Sequence, residues 1–193
     1  MKKIVLLAAV AVFGMSTMIA QETSFGVKAG VNFAGVIGDD IEETDGRTGF
    51  HIGGVANIGI NEWLAIQPEV VYSQQGYSFN DFDGVNDIKL DYINIPILAD
   101  FTLAEGFSLQ GGPQIGINVS SKTEFADQEI DLKDETESLE IATTLGAQYE
   151  LPIGLFFQAR YTVGFTNFIE ERDGANNDAQ NAVLSVSIGY FFN

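Results

Sequence analysis

Eight times along this chain apolar and polar side chains alternate with a period of two, and no other feature restricts the fold as strongly. From Phe25 the odd positions read Phe25, Val27, Ala29, Val31 and Phe33, while the even ones read Gly26, Lys28, Gly30 and Asn32. Successive side chains of a strand point to opposite faces, so this spacing assigns one set to each side of a sheet. The rhythm returns over Phe50–Ile60, Leu64–Ser73, Ile93–Phe101, Phe107–Ser120, Leu139–Tyr149, Leu155–Phe165 and Leu184–Phe192. The pattern predicts about eight strands of roughly ten residues, the length a tilted strand needs to cross a bilayer.

The connections carry a second regularity. Ile37–Arg47, Tyr77–Asp87, Lys122–Ser138 and Asn167–Gln180 are long and rich in Asp, Glu and Asn, whereas Asn61–Trp63, Thr102–Gly106 and Leu151–Gly154 are short. Long loops at one end and tight turns at the other mark an outer-membrane barrel. With both termini on the turn side the strand number is even, and eight fits.

Alternation by itself also suits a soluble lipocalin-like barrel, whose apolar face lies inside. The polar face separates the two. A sheet face in water carries Lys, Glu and Arg, but here it is mostly Gly, Ser, Asn, Gln and Thr. Such small neutral groups suit the lumen of an eight-stranded barrel, which is just wide enough for side chains to fill it. The apolar face is large and aromatic, a hazard in water and a requirement in lipid. Trp63, Phe101, Phe107, Tyr149, Phe157, Tyr190 and Phe192 fall near the turn side, and Phe33, Phe50, Tyr72, Tyr77 and Phe165 near the loop side. Amphipathic rings collect in two such girdles at the membrane interfaces. Pro68, Pro96 and Pro113 lie on consecutive strands, and because proline cannot donate to a ladder, bulges are expected there.

The first twenty residues stand apart. Lys2 and Lys3 precede the apolar run Ile4–Phe13, and small residues lead to Ala20 before Gln21. This is the layout of a cleaved secretory signal peptide, too short in its apolar part for a spanning helix. The expected division is therefore 1–20 signal peptide and 21–193 barrel domain. Beyond residue 20 the chain holds 27 acidic and seven basic residues, a net charge of −20. Nucleic acid is excluded as a partner, since phosphate recognition needs a basic stripe. No cysteine is present, so thiol and disulfide chemistry play no part.

Phe25–Ala34 (FGVKAGVNFA), Leu64–Gly76 (LAIQPEVVYSQQG), Asp91–Phe101 (DYINIPILADF), Gly112–Ile117 (GPQIGI) and Gly189–Asn193 (GYFFN) resemble the PorT-type outer-membrane β-barrel family of Bacteroidota. The resemblance spans essentially the whole of residues 21–193. It implies the fold and the Gram-negative outer membrane, and it assigns no activity. The chain departs from the common pattern of outer-membrane barrels in placing Asn193 after Phe192.

On the polar face, Lys28, Glu69 and Arg160 fall at similar depth, with Asp100 and Gln110 nearby. A lone buried charge is costly, so these five are expected to pair and fill the lumen as a structural plug. A gate or proton path is the functional alternative. His51 is the single histidine, at the loop end of the polar face. With Ser78, Asp81 and Ser121 it would resemble the catalytic set of an outer-membrane acyltransferase, although their spacing forms no nucleophile motif. Asp81–Gly84 and the acidic run Glu124–Glu137 invite a weak calcium reading without the ligand spacing of an EF-hand.

The resulting expectation is an all-β, eight-stranded antiparallel up-and-down transmembrane barrel with a structural or surface-interaction role. No catalytic residue, cofactor or metal is assigned. Expected partners are the lipid bilayer, lipopolysaccharide, the barrel assembly machinery and a protein reached through the acidic loops, with the barrel a monomer. A narrow pore or secretion-associated barrel is the second reading, and a lipid-modifying enzyme the third.

Overall fold

A computed structural model of the protein describes residues 23–37, 45–81, 84–125, 128–131, 138–165 and 180–192. The strands are β1 (Thr23–Ile37), β2 (Asp45–Asn61), β3 (Leu64–Asp81), β4 (Gly84–Ala104), β5 (Phe107–Phe125), β6 (Gln128–Asp131), β7 (Leu139–Glu150), β8 (Leu155–Gly164) and β9 (Gln180–Phe192). Each wall strand pairs antiparallel with its neighbours in sequence, β4 pairs with β5, and β1 pairs with β9. The sheet therefore closes on itself as an eight-stranded meander and leaves no edge in the wall, the condition for a sheet to survive in lipid. The ninth strand, β6, lies outside the wall and pairs only with the outer end of β5. The alternation did not mark it, because it is four residues long and sits inside a charged connection.

Faces follow the period-two pattern. Val27 and Val186 are 50% and 46% exposed on the outer surface, while Gln67 and Gln114 are 0% and 6% exposed in the lumen. Most large apolar side chains thus face outward from the wall strands, and the polar set packs inward. Two aromatic groups mark the turn side of the outer surface: Trp63 stacks on Phe101 at 6.1 Å, and Tyr190 meets Phe192 edge-on at 5.7 Å. On the loop side Phe50 packs against Tyr72 at 5.9 Å. Tyr77 departs from the expected girdle. It packs instead against the buried Leu90 and Tyr92.

The turns follow their chemistry. Asn61 Oδ1 accepts from the Trp63 amide at 3.0 Å, an Asx-type closure of the β2–β3 turn. Gly106 takes φ +74°, and a Cβ there would stand 2.4 Å from the Glu150 carbonyl oxygen. Only glycine fills such a position without strain.

Three expectations need correction. First, Tyr77–Asp87 is mostly strand rather than loop: β3 and β4 stay in register from Leu64 opposite Phe101 to Asp81 opposite Gly84. Above the membrane both faces of a hairpin meet water, so polar residues there do not end a ladder. Secondly, the prolines make no bulge. Pro68 lies opposite Ile97 and Val71 opposite Asn94 in unchanged register; likewise Pro96 opposite Gln114 and Ala99 opposite Gly111. A few pairings are skipped but no residue is inserted, because a missing donor removes one bond without changing the residue count. Thirdly, the alternation over Phe107–Ser120, which puts Ser120 with Ser108, Gln110, Gln114 and Asn118 on the polar face, breaks at its end: a register shift between Asp91 and Tyr92 brings Ser121 to the lumen face in place of Ser120.

Candidate functional site

The lumen is stacked in tiers. Its floor, at the turn end, is apolar: Val55, Phe156 and Phe191 are buried together, with the two rings 4.6 Å apart. Phe156 occupies space that Gly189 leaves, since a Cβ on Gly189 would lie 2.1 Å from the Phe156 ring.

Above the floor the five residues singled out by sequence form one connected group. Glu69 is the hub. Its Oε2 lies 2.7 Å from Lys28 Nζ, and Arg160 donates to both carboxylate oxygens, Nη1 to Oε2 at 2.9 Å and Nη2 to Oε1 at 2.8 Å. This two-pronged geometry matches a guanidinium to a carboxylate and locks both. Arg160 Nε donates to Gln110 Oε1 at 2.9 Å, and Gln110 Nε2 donates in turn to Asp100 Oδ2 at 2.5 Å. Glutamines finish the tier: Gln67 Nε2 donates to Glu69 Oε1 at 2.8 Å, Lys28 Nζ to Gln158 Oε1 at 3.2 Å, and Gln158 Nε2 to Gln148 Oε1 at 2.6 Å.

A second tier centres on His51. Asn32 Nδ2 donates to Ser73 Oγ and to the Gln74 carbonyl, both at 2.9 Å, so its Oδ1 must accept. His51 Nδ1, 2.8 Å from that oxygen, therefore carries the proton, and Ser187 donates its hydroxyl to Nε2 at 2.7 Å. The order Ser187–His51–Asn32 is that of a hydrolytic relay. Its setting is not: all three are buried, and the neighbouring cavity, bounded by His51, Asn32, Lys28 and Arg160 among others, has a volume of about 40 Å³. That is room for about two or three waters and no acyl chain. The partners named with His51 from sequence lie elsewhere. Ser121 donates to Asn118 Oδ1 at 3.0 Å, Ser78 sits opposite Asp87 on the β3–β4 hairpin, and the Asp81 side chain is outside the described residues.

No group of three or more His, Asp or Glu residues able to hold a metal occurs among the described residues. The calcium reading of Asp81–Gly84 and Glu124–Glu137 falls mostly on side chains outside them.

Residues 19–170 match the family described as outer membrane protein beta-barrel domain. The chain belongs to that family. It is an integral outer-membrane barrel, which gives the apolar outer surface its solvent. Among solved structures this outer membrane beta-barrel domain is similar to Neisserial surface protein A, at 16% identity and a TM-score of 0.63, over 89% of this chain and 99% of that one. It is similar to Ail, the attachment invasion locus protein of Yersinia pestis, at 17% identity and a TM-score of 0.55, with the same coverage. A structure of Ail with the heparin analogue sucrose octasulfate aligns at 16% identity and a TM-score of 0.56, covering 89% of this chain and 99% of that one. At such identities the likeness concerns the fold. No curated protein matches the domain.

Sequence reasoning missed the floor residues Val55, Phe156 and Phe191, which sit on the polar face of their strands. The available signal was two adjacent aromatics at Phe156-Phe157 and Phe191-Phe192, one of which must point inward.

Proposed function

We propose that this barrel serves as a surface-interaction protein whose acidic outer connections meet a partner, while its lumen residues Lys28, Glu69, Asp100, Gln110 and Arg160 act as a structural plug. The observation that carries this reading is the charge asymmetry between the two ends. The four long connections, all at one end of the meander, contain 19 of the 27 acidic residues and four of the nine basic ones. A surface so charged attracts cationic partners and repels polyanions. It is therefore unlike what the sucrose octasulfate complex of Ail calls for, and a basic protein segment is the matching chemistry. Lipopolysaccharide would be met through bridging cations.

Export through a cleaved signal peptide at 1–20, insertion by the barrel assembly machinery, a monomeric state and the absence of a cofactor belong to the same reading. So does membership of the PorT-type branch of Bacteroidota, supported by the segments FGVKAGVNFA and LAIQPEVVYSQQG. The barrel is not read as an enzyme, because the Ser187–His51–Asn32 set has no room for an acyl substrate.

Crosslinking from whole cells tests the proposal. Photoreactive groups placed in Ile37–Arg47 and Lys122–Ser138 should capture a discrete partner, and neutralising the acidic residues of both segments should abolish capture while leaving barrel insertion intact. Unchanged capture by the neutralised protein would refute it. A narrow pore is the second reading, favoured only by the small polar cavity, and steady small-ion conductance in planar bilayers would establish it.

A further inference from the structure

The two ends of the chain meet at one joint of the wall. β1 pairs with β9 from Phe25 opposite Phe192 to Ile37 opposite Gln180, whereas every other wall joint unites strands that follow one another along the chain. Joining such distant segments costs more loop-closure entropy than folding a hairpin. Until they join, the sheet bares two edges to the bilayer.

The lumen crosses that seam at every level. On the floor, Val55 of β2 packs with Phe191 of β9. In the Glu69 tier, Lys28 of β1 donates to Gln158 of β8 at 3.2 Å, and Arg160 of β8 makes its two-pronged pair with Glu69 of β3. In the next tier His51 of β2 meets Ser187 of β9 at 2.7 Å. Toward the outer end, Asn181 of β9 donates to Gln75 of β3. Each contact joins β1, β2 or β3 to β8 or β9, so none exists before the ends have met. Glycines clear the way: Gly26 stands between Val55 and Phe191, and Gly30 between His51 and Ser187. A Cβ on Gly26 would lie 2.9 Å from the Phe191 ring.

Charge adds to the coupling. Lys28 and Glu69, 2.7 Å apart, both lie in the first three strands and can pair while the sheet is open. Arg160 arrives from the other end, and its carboxylate partner is Glu69. In an open sheet within the bilayer Arg160 is a cation without that partner, which is costly.

We propose that the lumen network is a latch for the β1–β9 seam: its cross-lumen contacts form only on closure, and they hold that joint in particular. The proposal rests on the structural-plug reading and narrows it from filling the barrel to fastening one joint.

The test is hydrogen exchange of the full barrel in detergent micelles, read strand by strand by mass spectrometry. Ser187→Ala removes one crossing bond and leaves His51 unsatisfied, so amides of β1 and β9 should exchange about tenfold faster than in the wild type, while those of β4 and β5 keep their rate. Thr144→Val removes bonds only to the adjacent strands, at Gln114 and Thr162, and should leave the seam rates unchanged. A disulfide across the seam on the lipid face, from Ala29→Cys with Ile188→Cys, should return the Ser187→Ala protein to wild-type rates. Acceleration spread evenly over all strands, or persisting under the disulfide, would overturn the latch and leave the plug standing. Unchanged exchange throughout would overturn both. Should Ser187→Ala fail to insert, Gln158→Ala, which removes the bond from Lys28, takes its place under the same expectations.

Discussion

Arg160 reaches the side chain of Gln110, two strands away, by passing over Gly146. The three residues form one row across the wall, Gln110 opposite Gly146 on β7 and Gly146 opposite Arg160 on β8. A Cβ on Gly146 would lie 2.6 Å from Arg160 Cγ, so the 2.9 Å bond from Arg160 Nε to Gln110 exists because the middle strand has no side chain there. The same device recurs where His51 meets Ser187 over Gly30, whose Cβ would fall 2.8 Å from His51 Nε2.

Gly146→Ala is therefore expected to destabilise the barrel by about 1–3 kcal/mol, the usual cost of overpacking a filled interior. Urea unfolding in micelles should show a lower midpoint at unchanged slope. A neutral result would mean that the wall yields enough for Arg160 to move aside.

Glu69 holds two cations that otherwise face each other. Glu69→Ala leaves Lys28 and Arg160 buried and uncompensated, and is expected to cost about 3–5 kcal/mol. Replacing the trio together, as Lys28→Met, Glu69→Leu and Arg160→Met, should recover most of that loss, because the penalty lies in the unpaired charges rather than in the missing bridge. Equilibrium unfolding of the single and triple variants checks both halves. A triple variant less stable than Glu69→Ala would contradict the argument.

Arginine at Val186, on the lipid face, is expected to cost about 2–4 kcal/mol near the bilayer midplane and less toward either interface. Cysteines at Val27 and Val186 should react with lipid-phase reagents, and cysteines at Gln67 and Gln114 should not. The reverse labelling pattern would turn the barrel inside out.

The stacked lumen predicts no small-molecule passage. The Val55–Phe156–Phe191 floor is apolar, and the tier above it is filled by side chains bonded to one another around Glu69. Phe156→Ala should cost about 3–5 kcal/mol in stability. It should still leave liposomes impermeable to sugars, because the Glu69 tier remains in place. Swelling of liposomes carrying the wild type would end this account.

Much of the architecture was legible from period two, since that spacing settles which face each side chain occupies without knowledge of any partner. Lys28, Glu69 and Arg160 could be placed at one depth by counting from the turns. The bond from Lys28 to Gln158 was not legible, because it joins residues 130 positions apart and depends on how far neighbouring strands are staggered. The glycine rows were invisible for the same reason: Gly30 and Gly146 have meaning only once the residues on either side of them are known. The strand character of Ser78–Asp87 was masked by its polarity, which signals a loop in a water-soluble chain and says less about a hairpin standing in water on both faces.

That hairpin alters what a partner encounters. Beyond Tyr72 on the loop-side girdle, β3 continues for nine residues to Asp81, roughly 30 Å of chain at the rise of a strand. Leu90, Tyr92 and Tyr77 pack at its base. As far as Asp81 and Gly84 the hairpin is therefore a braced mast rather than a tether. A partner that docked along this ladder would find the backbone already in place, so little ordering entropy would be lost in the encounter.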